Sequence, residues 1–227
     1  MSVLAVAKLG GSLAASEILP RLLRALDGRP HLVVAPGGGP FADAVRRAQV
    51  RLGFDDAAAH DKALLAMARY GRLLAARAGW RAARGADALA AQMARRTDRG
   101  PLVWLPDPAR DALEVERSWR ISGDSLALWL ARRLGARRLV LLKSCAIPTH
   151  DLAALAAAGI VDAALPELAA RAPRVDIRLV DASTGGDGLE ALLGLARDGG
   201  EQQAGPPWQT ARPPRQDSRA VSRAISV

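Results

Sequence analysis

The chain has 227 residues, half of them apolar, a formal net charge of +9 and a single cysteine, Cys145. That length suits one α/β domain with its own core, and no apolar run approaches the roughly 20 residues of a membrane span. No secretory leader is expected, since no basic segment precedes an apolar one at the start, and one cysteine allows no internal disulfide; a cytoplasmic setting and no membrane partner are therefore expected.

Residues 3–8 form an apolar run that ends in Gly10-Gly11-Ser12, the pattern of a buried strand followed by a tight turn. A helix is expected over 16–26, with Ser16 as its cap. Residues 31–35 repeat the strand pattern and end in Gly37-Gly38-Gly39; residues 41–52 return to helix. A long helix follows over 57–78, where Leu64, Met67, Gly71, Leu74 and Ala78 recur at helical spacing. A shorter helix over 86–95, a strand over 102–105, a helix over 125–134 and a strand over 138–142 come next. Helix over 165–171, a half-exposed strand around Val175, Ile177 and Leu179, and a helix over 188–197 complete the pattern. Strands alternating with helices predict an α/β fold, a three-layer αβα sandwich around a mainly parallel sheet. Residues 1–199 read as the catalytic domain. After Gly199, paired glycines, glutamines and prolines mark 200–227 as a flexible Pro/Arg-rich tail, with a lid or docking arm as the alternative that Trp208 keeps open.

The basic charge is almost all arginine, scattered along helices; the one tyrosine is Tyr70, and no aromatic-basic module is present. Nucleic acid is therefore not the expected partner, and a positive field that attracts small phosphorylated or anionic substrates accounts for the charge. The three lysines stand out. Lys8 and Lys143 each sit at a strand end beside small residues, where a compact ammonium has uses that a planar guanidinium does not.

Gly10-Gly11-Ser12 and Gly37-Gly38-Gly39 follow successive strands. In an open parallel sheet both turns face the same edge, where backbone N–H groups cradle anions. The pattern is neither a Walker A loop nor a dinucleotide fingerprint. Ser122-Gly123-Asp124-Ser125 opens a helix, and Lys143-Ser144 ends a strand. Asp124 or Ser125 is open to two readings, a helix N-cap or a carboxylate set between two lysines. The second suits in-line phosphoryl transfer, whose catalysis is mostly positioning and charge stabilisation.

These four segments in this order resemble the amino acid kinase superfamily, which includes aspartokinase, acetylglutamate kinase, uridylate kinase and isopentenyl phosphate kinase. Lys8-Leu9-Gly10-Gly11-Ser12 is similar to the family's opening K-x-G-G-S, and the resemblance spans about residues 3–195. It implies an ATP-dependent small-molecule kinase that works as a homo-oligomer. Lys8, Asp124 and Lys143 would be the catalytic residues, with Lys8 stabilising the transferred phosphoryl group and Asp124 orienting both lysines. Gly10, Gly11, Ser12 and Ser144 would bind ATP phosphates, and Gly37, Gly38 and Gly39 would face the acceptor. One departure is that Lys143-Ser144-Cys145-Ala146 stands where many relatives carry an aspartate-rich turn.

Within the superfamily the chain resembles a short aspartokinase-like branch that includes the aminomethylfuran phosphate kinase of methanofuran-type cofactor biosynthesis. The cues are its compact length, His60-Asp61-Lys62 leading into Ala63-Leu64-Leu65-Ala66-Met67, and the Asp-Ser helix with Trp129. This implies an acceptor that is itself a phosphate monoester, a diphosphate product, and a place in the making of a one-carbon carrier. His60 and Asp61 are then candidate acceptor-binding residues, Asp61 through a substrate ammonium; the alternative is that both simply begin a helix. No protein metal cluster is expected, because His31, His60 and His150 share no ligand spacing. Mg²⁺ is expected to arrive with ATP, on phosphate oxygens. UMP, isopentenyl phosphate or a carboxylate remain alternative acceptors, and a non-catalytic nucleotide- or oxyanion-binding protein of the same fold is the alternative to an enzyme.

Overall fold

The computed structural model describes residues 5–95, 97, 99–111 and 115–183. The helix expected over 188–197 and the tail from residue 200 lie outside the described residues.

Among the described residues six strands form one sheet: β1 (Ala5–Leu9), β2 (Leu32–Pro36), β3 (Arg81–Arg84), β4 (Leu102–Leu105), β5 (Arg138–Lys143) and β6 (Asp176–Asp181). Their order is β3-β4-β2-β1-β5-β6, and every pairing is parallel. The helices are α1 (Leu19–Leu26), α2 (Gly39–Leu52), α3 (Asp56–Ala78), α4 (Ala86–Arg95), α5 (Pro108–Asp111), α6 (Gly123–Arg133), α7 (Leu152–Ala157) and α8 (Leu165–Ala170). None of these is long and apolar enough to cross a membrane.

The strand period of two sorts the core into two layers. Val6, Val33, Leu139 and Leu141 pack with Leu89 of α4 and with Leu126 and Leu130 of α6. Ala7, Leu9, Val34 and Leu142 pack with Leu22 and Leu26 of α1 and with Tyr70 and Leu74 of α3. The four inner strands are buried along almost their whole length. This is why they read as continuous apolar runs rather than as alternating ones.

Two differences from the sequence reading have local causes. Ser16 does not cap a helix. It closes a 3-10 turn over Gly11–Ala15, and its Oγ accepts the Ile18 N–H at 3.3 Å. α1 begins at Leu19 with Pro20 in its first turn, where the missing N–H costs nothing. Strand β3, Arg81-Ala82-Ala83-Arg84, was not anticipated. It lies at the sheet edge, buries only Ala83, and is held by its pairing with β4.

Candidate active site

In a parallel sheet all carboxyl ends open on one edge, and the strand order reverses direction at β1, between β2 and β5. This is the switch point at which open α/β sheets bind ligands. Lys8 is in register with Leu141, and Lys143 lies two residues beyond Leu141. The two lysines therefore project from the same face of neighbouring strands, the face that α6 covers.

The start of α6 meets them there. Asp124 Oδ1 lies 2.7 Å from Lys8 Nζ, and Asp124 Oδ2 accepts a hydrogen bond from Lys143 Nζ at 2.5 Å. All three side chains are buried. Burial is the largest influence on the Asp124 carboxyl and pushes it up, but the charges of Lys8 and Lys143 and their hydrogen bonds together outweigh it. The carboxyl is held below its usual range. Burial lowers the Lys143 ammonium; the nearby Lys8 charge lowers it further, against the opposing pull of Asp124. Gly123 makes the approach possible, since a Cβ there would lie 3.0 Å from Lys8 Cε.

Asp124 is not the helix cap. The cap position is Ser122, whose side chain makes no capping bond, and Asp124 stands inside the helix. The cap comes from Asp162, before α8. Its carboxylate accepts the Ser122 N–H at 3.0 Å, the Ser122 hydroxyl at 2.5 Å and the Ser125 N–H at 2.8 Å. Asp162 thereby satisfies donors at the open end of α6 and fixes the turn that carries Asp124. Nothing local in the sequence marked it, because it acts from 38 residues downstream of Asp124, with no motif around it. Asp162→Ala is expected to destabilise the protein by about 1–3 kcal/mol, the cost of leaving such donors unpaired. A lowered urea midpoint with an unchanged m-value would register it.

The two glycine turns are pressed together. A Cβ on Gly11 would stand 2.2 Å from the Gly39 backbone nitrogen, and one on Gly37 would stand 2.6 Å from the Gly11 nitrogen. The Gly37 N–H donates to the Leu9 carbonyl at 2.7 Å. Gly39 has φ of +56°, which favours glycine. Gly38 needs no unusual backbone angle; its constraint is α2 itself, since a Cβ there would meet Ala42 Cβ at 2.2 Å. Ser144 Oγ donates to Ser12 Oγ at 2.7 Å, tying the end of β5 to the first turn. A Cβ on Gly10 would come within 3.3 Å of the Leu142 carbonyl oxygen, so that turn also lies close against β5.

A cavity of about 460 Å³ opens beside Lys8, between both glycine turns, α2, α3 and the segment 119–123. Lys8, Gly11, Ser12 and Gly37 to Gly39 line it, and so does His60. His60 is buried; its Nδ1 lies 3.4 Å from the Ser118 carbonyl, while Nε2 has no hydrogen-bond partner. Burial, the dominant influence, lowers its pKa. Asp61 does not line the cavity; Arg117 holds its carboxylate at 2.5 Å. Of the polar and aromatic lining residues, three were not singled out from the sequence: Asp43, Arg46 and Trp119. Asp43 and Arg46 lie four and seven residues beyond Gly39, on the face of α2 that continues from the glycine turn. That spacing was the available clue.

Comparison with known proteins identifies the family and the fold. The family model described as "Amino acid kinase family" matches residues 4–146. The [5-(aminomethyl)furan-3-yl]methyl phosphate kinase of Methanocaldococcus jannaschii is 28% identical over 141 residues, which cover 60% of this chain and 63% of that protein. The match thus spans less than two thirds of that relative's length. Among solved structures, the UMP kinase from Ureaplasma parvum superposes with a TM-score of 0.63 at 11% identity, covering 87% of this chain and 97% of that one. The uridylate kinase from Archaeoglobus fulgidus gives 0.56 at 15% identity, covering 85% and 96%. At such identities the superpositions establish the fold alone, a parallel sheet covered by helices on both faces. The family match covers well over half of the chain and includes both glycine turns, Asp124 and Lys143, and this chain belongs to the amino acid kinase family.

Proposed function

We propose that the protein transfers the γ-phosphoryl group of ATP to a small phosphate monoester, giving ADP and a diphosphate. The observation that supports this most directly is the buried Lys8–Asp124–Lys143 bridge at the edge of a cavity lined by both glycine turns. An oxygen of the acceptor phosphate attacks the γ-phosphorus while the bond to the β–γ bridging oxygen breaks and ADP leaves. Charge spreads over the equatorial oxygens, and preorganised cations beside them lower the barrier. Lys8 stabilises the transferring group, Lys143 stands on the nucleotide side, and Asp124 keeps both in place. Gly10, Gly11, Ser12 and Ser144 hold the ATP phosphates; Gly37 to Gly39 and His60 face the acceptor.

Among the described residues, no three His, Cys, Asp or Glu side chains come together to hold an ion, and Asp124 is engaged by two ammonium groups. This arrangement fits Mg²⁺ held mainly on ATP phosphate oxygens, where it would neutralise part of their charge.

The acceptor proposed is an aminomethylfuranyl-methyl phosphate, in the making of a one-carbon carrier of the methanofuran type. Its basis is the named activity of the M. jannaschii relative. The test is incubation with Mg-ATP and this acceptor, with UMP and isopentenyl phosphate in parallel, followed by ³¹P NMR. The expected result is the doublets of a new diphosphate ester appearing with ADP for the first acceptor. ATP turnover only with UMP or isopentenyl phosphate would overturn the acceptor assignment, and no phosphoryl transfer to any acceptor would overturn the kinase reading.

The lowered Lys143 ammonium predicts the pH profile. Turnover requires the charged form, so kcat should fall as pH rises through a value below the ordinary lysine 10.5. Lys143→Arg stays charged throughout. It should be slower at neutral pH, because a planar fork does not fit an ammonium's place, and it should lack that alkaline limb. A limb that persists unchanged in Lys143→Arg would assign it to another group.

A further inference from the structure

The cavity lining is chemically mixed. Lys8, the glycine turns and the N-terminus of α2 are suited to anions. Further along α2 the lining continues with Asp43 and Arg46, and Trp119 joins them. Asp43 is the one carboxylate lining the cavity among the described residues. It lies four residues beyond Gly39, a rise of about 6 Å along α2, which is close to the span of a single small ring bearing a short arm on each side.

Asp43 is now engaged by Arg46, with Arg46 Nη1 3.1 Å from its Oδ1. This pair is open to exchange. Both side chains are about half exposed, at 58% and 50%. Arg46 also has a second hold, for its guanidinium carbon lies 4.4 Å from the centroid of the Trp119 ring. The ring is itself anchored, its Nε1 donating to Gln49 Oε1 at 2.6 Å. Arg46 can therefore cede Asp43 to another cation and remain stacked. Asp61, the acid that follows His60, is held by Arg117 and lies outside the cavity lining.

We infer that Asp43 is the residue that selects an acceptor carrying an ammonium group. It pairs with that ammonium while the acceptor's phosphate lies at the glycine turns. This rests on the proposed phosphate-monoester kinase activity and names the residue that would recognise the amine of its acceptor. Such a substrate offers its phosphate to the glycine turns and its ammonium to Asp43, whereas a monoester lacking the amine gains nothing from Asp43, which stays paired with Arg46.

The experiment compares two acceptors, the aminomethylfuranyl-methyl phosphate and the analogue with methyl in place of aminomethyl, in the full-length protein and in Asp43→Asn and Asp43→Glu. The wild type should favour the amine by a lower KM. Asp43→Asn should raise KM for the amine by about 3- to 5-fold, the upper part of the scale that a screened, half-exposed ion pair supports. Its kcat, and its KM for the methyl analogue, should stay within about twofold of the wild type, as expected for loss of uniform binding. Asp43→Glu should restore part of the discrimination. Equal KM values for the two acceptors in the wild type, or an equal rise for both in Asp43→Asn, would overturn the role of Asp43 and leave the kinase activity standing. A wild type that phosphorylates neither acceptor would overturn the substrate class, and this assignment with it.

Discussion

Replacing Asp124 with asparagine is expected to slow turnover by about 10²-fold or more, because small displacements of groups around a reacting centre are costly. The carboxylate contacts both ammonium groups, at 2.7 Å and 2.5 Å. Asparagine keeps the shape but offers one acceptor oxygen and no charge. Two buried lysines would then repel each other, and one would turn away or lose its proton. The substitution should also lower stability by about 3 kcal/mol, since removing one partner of a buried ion pair leaves the others uncompensated. The pH dependence carries the same information. A carboxyl held below its usual range stabilises the fold fully above that range, and the contribution is lost as pH falls through the depressed value. Asp124→Asn should lack that acid-side loss. Kinetics must be measured well below the lowered melting temperature, so that slow turnover is not mistaken for unfolding. A variant with wild-type kcat would remove Asp124 from catalysis. At a helix cap, where asparagine serves as well as aspartate, the change would be nearly silent.

Lys8→Ala is expected to cut kcat by about 10²–10⁴-fold, the range seen when a preorganised electrostatic contact to a transition state is deleted. The cost to folding should be smaller than for Asp124→Asn, because Asp124 and Lys143 remain paired. KM for ATP should move much less than kcat, as expected for a contact made chiefly in the transition state. Arginine is not expected to rescue. Lys8 passes so near Gly123 that even a methyl group there would touch its Cε at 3.0 Å, and a guanidinium is broader than an ammonium. Near-normal turnover in Lys8→Ala, measured by coupled ADP release, would remove Lys8 from the mechanism.

The inner strands were legible in the sequence because burial on both faces leaves them apolar throughout, and β1, β2, β4 and β5 fall within about a residue or two of the expected ranges. The long helix over Asp56–Ala78 was legible from its periodicity. Edge strand β3 was not, because Arg81-Ala82-Ala83-Arg84 carries no apolar run and takes its form from a neighbour already in place. The juxtaposition of Lys8, Asp124 and Lys143 was anticipated from motif order, and the strand register supplies its physical reason. The side chains that act across the fold were not legible. Asp162 caps a helix from a distant loop, and Asp43 gains its meaning only when α2, α3 and Trp119 enclose a common space. Neither carries a local pattern; both depend on contacts that the sequence does not write in order.

The contact between the glycine turns limits how this site can change. A methyl group on Gly11 would strike the Gly39 nitrogen at 2.2 Å and its Cα at 2.5 Å. The obstacle is main chain, so trimming a neighbouring side chain cannot make room. Suppressor substitutions elsewhere in the protein would have to shift the end of β1 or the start of α2 bodily, and with it the position of Lys8 or of the face that bears Asp43. Innovation in this pocket is thereby steered toward the far walls, where an exposed residue such as Arg46 can be exchanged without moving the chain.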